Sequence, residues 1–554
     1  MSTSLDDLCA DFWTWRAGQQ PRSHDDIPRL ERPAGWIPDF SAPARADHAA
    51  ALLEFEQRLE ILDPGPDGAV ADRVDHLLLR SAMARVRWES DVLRMWARHP
   101  GFYVHQSLGC VYDLLTPVEV DAGRIRDITR HLASTPKILD DGRANVAGTA
   151  VSEFAALAAG ELATVEDDVA RMVDALCRLD TPGLTPADID SLRAAGAAAA
   201  VALGGYRDWI TASAEGFVRW TPVGDDDFQW FLTDVALLPF TTDELLAIGR
   251  HEADRAAAFE LLERRRNGTP GRSKPPPVFS TGAEQAAAQA EMELGIRRFY
   301  EERGLLSQPD WMRHYNTHPL PDHVAPITWL GVADDLTGPS RLDQNGSAFF
   351  PPPGPDLPYF YAANAHDPRL GIVHEGVHYQ QLVLSWAHPR PVRRHYYDST
   401  ANEGVAFYNE EMMLASGLFD DNPRSREVIY NFMRLRALRV VVDVHLARGS
   451  MTIAEAGAFL EREVPMDAAT AREEAAFFAS TPGLAMSYQI GKTQLLGLLN
   501  DAARADGFDL QAFHDRVWLD GNVPFSLQRW ELLDDPSDLE RIGELRRSGV
   551  ARHG

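Results

Sequence analysis

Two histidines one helical turn apart, with a glutamate beside the first, stand at His374-Glu375-Gly376-Val377-His378. On a helix, residues four apart share a face, so both imidazoles can present ring nitrogens to one ion. Glu375 can then reach a metal-bound water as general base. Imidazole and carboxylate are ligands that Zn²⁺ favours, and a catalytic zinc uses three protein ligands with water in the fourth position. The flanking Ile372, Val373, Val377 and Leu382 indicate a buried helix, where two histidines and a carboxylate need partners. The spacing predicts a metal site built on His374 and His378.

A third ligand is available downstream. Asn402-Glu403-Gly404-Val405-Ala406-Phe407-Tyr408-Asn409-Glu410 begins a second amphipathic helix that ends near Gly417, and Glu403 follows His378 by 25 residues. That distance allows one helix, a turn at His388-Pro389-Arg390-Pro391, and a second helix packed against the first. Glu403 completes a His/His/Glu set, and one zinc per chain is expected. Glu410, two turns after Glu403, is a candidate acceptor for the other ring nitrogen of a ligand histidine.

The elements that must hold these residues are mostly helical. Asp47 to Leu62 and Val70 to Trp96 carry apolar residues at three- and four-residue spacing, and Val151 to Leu179 and Thr185 to Ala214 read as another helical pair. Thr185-Pro186-Ala187-Asp188 has a capping threonine and a proline at the first helical position. Thr241 and Glu244 have capping-box spacing, so a helix is expected from there to about Arg266. Ile327 to Leu330 and Tyr359 to Tyr361 are rich in β-formers and bounded by Pro and Gly, which predicts a small sheet or hairpin. The expected fold is a large helical body with a small β-element beside the active-site helix. An N-terminal helical region, residues 1–220, precedes a metal-binding region, 221–554, in what reads as one continuous body.

Three matches resemble a bacterial family, domain of unknown function 885. They are the Glu403-to-Glu410 helix, Pro482-Gly483-Leu484-Ala485-Met486-Ser487-Tyr488-Gln489-Ile490-Gly491, and Phe513-His514-Asp515 followed by Gly521-Asn522-Val523-Pro524. The resemblance runs from about Thr241 to Leu533. The family usually reads His-Glu-x-x-Pro-Gly-His-His, and this chain lacks the Pro-Gly pair. The contracted motif has the regular zincin spacing, as in thimet oligopeptidase or Taq-type carboxypeptidases. The resemblance implies a gluzincin-like fold and a zinc peptidase.

It also places Tyr488 where related peptidases keep a transition-state tyrosine, and other residues are candidates on their own chemistry. Tyr488 is the candidate oxyanion donor, because Zn²⁺ alone leaves a developing oxyanion short of a hydrogen bond; the alternative is a core tyrosine. Lys492 lies one turn later, one of only three lysines against 51 arginines. It either holds a substrate carboxylate or neutralises a buried acid. His514 is a second donor or a cap. Tyr359-Phe360-Tyr361 with Asn364 is a candidate edge strand for substrate. Arg393-Arg394 is either solvated surface or an attractor for an anionic substrate near the entrance.

Composition narrows the partners. Acidic residues outnumber basic ones 82 to 54, a net charge of −28, which disfavours nucleic acid and anionic membranes. The arginine and alanine bias suggests a GC-rich bacterial gene. Cys9, Cys110 and Cys177 form no Cys-x-x-Cys pair, so neither a disulfide framework nor a thiolate zinc site is supported. The first residues lack a basic and apolar leader, and a cytoplasmic location is expected. The expected function is a zinc hydrolase, a peptidase or amidase acting on a small peptide or amide. Two alternatives stay open: a metal-dependent non-peptidase enzyme on a small metabolite, and a non-catalytic metal-stabilised binding protein.

Overall fold

The computed structural model describes residues 4–22, 30–268, 277–464, 466 and 468–550. Most of the chain is helical. The helices used below are α1 (Leu5–Gln19), α2 (Ala42–Ile61), α3 (Val70–Arg87), α4 (Pro186–Ser213), α5 (Thr242–Asn267), α6 (Tyr359–His366), α7 (Arg369–Trp386), α8 (Ser399–Ala415), α9 (Pro423–Arg448), α10 (Ser487–Ala502) and α11 (Leu510–Asp520). Local chemistry sets many of their ends. Thr185 caps α4 as expected, in a capping box with Asp188, and Thr241 and Glu244 form the predicted capping box at the start of α5. Asp398 caps α8 by accepting from the Thr400 amide at 2.9 Å, and Arg85 of α3 pairs with the same carboxylate at 2.7 Å.

A three-stranded sheet of β1 (Tyr315–Pro319), β2 (Asp334–Asp335) and β3 (Gly346–Phe350) lies beside α7 in the order β1-β3-β2. β1 runs parallel to β3, with Tyr315 opposite Gly346, and β2 runs antiparallel, with Asp334 opposite Ala348. Tyr315, Ala348 and Phe350 pack with Tyr379, Leu382 and Trp386 of α7 in one apolar cluster. The sheet is where a β-element is expected, but its strands are not the predicted ones. Ile327 to Leu330 lies in a 3₁₀ turn, and Tyr359 to Tyr361 opens α6. Pro358 precedes that helix, and Tyr359 and Phe360 both pack on Phe432 of α9. Packing on a helix outweighs the β-preference of three aromatics. Part of the predicted Asn267 to Pro277 loop, residues 269–276, lies outside the described residues.

Apolar clusters join the two halves of the chain. Leu78, Leu79 and Val86 of α3 pack with Leu237, Val392, Tyr396, Leu527 and Trp530. The tightest crossing is between α8 and α10. A Cβ on Gly491 would stand 1.8 Å from the Thr400 carbonyl oxygen and 2.7 Å from the Gly404 Cα. Two glycines face to face let these backbones touch, and this brings Tyr488 beside the α7 histidines.

Candidate metal centre

His374 and His378 stand one turn apart on α7, their ring centroids 4.9 Å apart and the planes nearly perpendicular. Glu403, in the second turn of α8, brings Oε2 to 3.3 Å from His374 Nε2 and 3.2 Å from His378 Nε2. All three side chains are buried, and their ligand atoms lie within 4.8 Å of one another, the one such group among the described residues. Glu375, on the same helix, is the half-buried member of the motif.

The donor set fits a metal ion. Glu403 Oε2 is sealed from solvent and accepts no well-aligned hydrogen bond, although two imidazole nitrogens stand close to it. Lone pairs of three buried atoms thus converge on one point, which is costly unless a cation or shared protons lie there. With protons there, burial and the Arg436 guanidinium push the His374 imidazole down, and Glu403 and Glu410 outweigh them, lifting it to about 9. Burial raises the Glu403 carboxyl, and the two histidines more than reverse this, holding it well below the usual carboxylate range. Two imidazoles and a carboxylate in this arrangement suit Zn²⁺.

A second layer fixes the first. His374 Nδ1 lies 2.7 Å from Glu410 Oε1, the partner predicted from its two-turn spacing after Glu403. Arg436 of α9 grips Glu410 through both terminal nitrogens at 3.0 Å. Asn409 Nδ2 donates to the Val373 carbonyl at 2.7 Å, and its Oδ1 accepts from Tyr300 Oη at 2.9 Å. These bonds tie α8 to α7 at the level of the first histidine.

Tyr488 lies parallel to His374, ring centroids 5.9 Å apart, with the guanidinium groups of Arg436 and Arg439 5.3 and 5.4 Å from its own centroid. Burial first, and then the Glu403 charge, push its phenol well above the ordinary range despite the two arginines. The hydroxyl therefore keeps its proton and can donate.

The remaining predicted residues are placed differently. Lys492 is buried, with Nζ 2.8 Å from Glu411 Oε2 and 4.4 Å from the centre of the Phe407 ring. Its charge is matched by the half-buried Glu411, not left for a substrate. His514 has both ring nitrogens engaged: Nδ1 with the Leu305 carbonyl at 2.7 Å and Nε2 with Tyr408 Oη at 2.8 Å. It bridges helices and is neither cap nor free donor. Tyr361 is on α6, packed edge-on against Phe350 at 5.6 Å, and Asn364 of the same helix presses on Gly371 of α7. Neither belongs to an edge strand. Arg393 is buried among Asp75, Asp520 and Glu531 at 2.8–2.9 Å, so it is not an entrance charge.

Sequence reasoning missed Arg436, Arg439 and Asp334. Burial, and then the Glu375 charge, raise the Asp334 carboxyl well above its ordinary range, an effect of the β2 strand that no spacing rule reveals. The two arginines had a signal. With Arg434 they sit in an α9 stretch whose other residues, Phe432 to Val442, are apolar, where a buried cation demands an anionic or aromatic partner.

Residues 337–531 match the family described as "Bacterial protein of unknown function (DUF885)". That segment carries every ligand candidate, Glu375 and Tyr488, and the family is bacterial, as the composition suggests. No curated protein matches the sequence. Two solved structures share the fold. A "putative lipoprotein of unknown function" from Shewanella oneidensis has a TM-score of 0.70 at 16% identity, covering 96% of this chain and 100% of its own. A "putative lipoprotein" from Colwellia psychrerythraea has a TM-score of 0.69 at 16% identity, covering 99% and 100%. Among the described residues, no helix is long and apolar enough to cross a membrane.

Proposed function

We propose that the protein is a zinc-dependent hydrolase of the gluzincin type that cleaves a small peptide or amide. The observation that carries this reading is the convergence of His374, His378 and Glu403, with Glu375 on the same helix as the histidines. Bound Zn²⁺ supplies Lewis acidity and acidifies a water at this point. Glu375 accepts a proton from the attacking water as the C–O bond forms, and returns it to the departing amine as the C–N bond then breaks. Tyr488, protonated throughout, donates a hydrogen bond to the carbonyl oxygen as charge builds on it. Glu410, held by Arg436, keeps the His374 Nδ1 proton on the side away from the metal, which leaves Nε2 as the ligand atom.

The test is incubation of the purified protein with a peptide and amide library, with and without a chelator, read by mass. Products heavier in sum by one water, lost on chelation and restored by zinc, are expected. Products without added water would replace hydrolysis by another metal-dependent reaction on a small metabolite. Full function in Glu375→Gln, with metal bound, would point to a non-catalytic binding protein.

A further inference from the structure

A cavity of about 570 Å³ opens between the N-terminal helices and the segments that lead into α8 and α10. Its floor is Asp398–Thr400 and Ser480–Leu484. Glu403 follows Thr400 by three residues and Tyr488 follows Leu484 by four, so the cavity ends about one helical turn from two members of the metal centre. The volume lies in the range that suits a small organic ligand.

The walls define that ligand. Trp13, Phe40, Trp88, Trp96, Phe102 and Phe231 give an aromatic lining. The arginines among them are already matched: Arg16 by Glu89, Arg22 by Asp113 at 3.1 Å, Arg85 by Asp398 at 2.7 Å. Arg45 lies 3.7 Å over the Trp96 ring and donates to Asn145 Oδ1. Burial holds the His48 and His99 imidazoles down at about 4, so both are neutral. Three π-helical stretches, Trp88–Leu93, His105–Gly109 and Phe231–Val235, each contribute a wall residue. Such stretches cost helix regularity and recur at functional sites.

We propose that this cleft binds an aromatic group, the non-reacting portion of the substrate. Its assignment to the substrate rests on the hydrolase reading; binding in the cleft does not. The aromatic walls take the ring.

The probe is benzyloxycarbonyl-glycyl-phenylalanine amide, aromatic and without charge, with acetyl-glycyl-leucine amide as the aliphatic control. Binding is measured by calorimetry on the full chain, both zinc-loaded and metal-free, so that failure of the metal reading leaves the result interpretable. Ala49 lines the cleft from the exposed side of α2, so Ala49→Trp fills it without entering the core; Ala46→Trp, one turn earlier, is the second variant. The aromatic probe is expected to bind in both metal states, and more tightly than the control. Either tryptophan should weaken it by roughly tenfold or more, since losing one ring contact is worth about that factor. No binding by the wild type, equal binding of the aliphatic control, or unchanged affinity in both folded variants would overturn the proposal.

Discussion

The candidate metal centre and the proposed aromatic cleft both draw on the first turns of α8 and the segment before α10, yet they are built in opposite ways. At the metal centre, charged groups stand close together, and each is positioned by the spacing of one helix or by the adjoining one. In the cleft, side chains from Trp13 to Leu484 contribute, and Arg16, Arg22 and Arg85 are paired with acids before any ligand arrives. An ion demands donors fixed to a fraction of an ångström, which rigid helices supply. An apolar group needs only shape and a few polar contacts, which scattered residues can supply. The difference predicts that substitutions at the centre remove chemistry or metal, whereas substitutions in the cleft change which molecules bind.

The largest effects should come from the ligands. His374→Ala and Glu403→Ala each remove one of three ligand groups, so zinc content should fall from about one per chain to a small fraction. Elemental analysis after dialysis checks this, and full occupancy in both variants would refute the metal assignment. Glu375→Gln keeps shape and the ligand set but removes the base. It should retain zinc and lose about 10²–10⁴ in turnover; activity near wild type would move the reaction away from hydrolysis.

How much of this was legible in the sequence follows the same division. The α7 motif, Glu403 and Glu410 could be read because helical periodicity turns spacing into a shared face. The caps at Thr185 and Thr241 were legible for the same local reason. Strand β1 was not, since Asn316 and His318 carry no β-signal and pair with β3 only through tertiary context. Tyr359 to Tyr361 misled in the other direction, as their aromatic content suits a strand while Phe432 offers a helix-packing surface. Lys492 and His514 drew attention as isolated polar groups; Glu411 and Tyr408, the partners that absorb them, sit on another helix and are invisible to spacing.

Tyr488 gives the next effect down. Its hydroxyl is a donor at any working pH because burial and Glu403 keep it protonated. Removing one such donor costs on the order of 10²–10³ in kcat. Tyr488→Phe should show that loss with zinc content and Tm near wild type. A fall in Tm to match the activity loss would make Tyr488 a packing residue between His374 and the α9 arginines.

The smallest effect lies one shell further out and separates positioning from bulk stability. Arg436 stands 3.4 Å from His374 Nδ1, on the side of the ring away from the candidate ligand nitrogen; it holds Glu410 through two nitrogens, and Glu410 lies 2.7 Å from the same Nδ1. Without that guanidinium, Glu410 is a buried carboxylate facing only an imidazole, and it either takes up a proton or turns away. In both cases His374 loses its orienting acceptor. Outer-layer partners of this kind are typically worth about 10–100-fold in metal affinity. Arg436→Met should therefore weaken zinc binding by roughly that factor, measured by competition with a chromophoric chelator. Arg436→Lys, which keeps one charge but loses the two-pronged grip, should recover part of it. Glu410→Gln is the companion variant: a glutamine can still accept from His374 but no longer demands a cation, so adding Arg436→Met to it should cost little more. Equal, additive losses in the double variant would show that Arg436 supports α9 packing, through Phe407 and Phe432, and not the metal site.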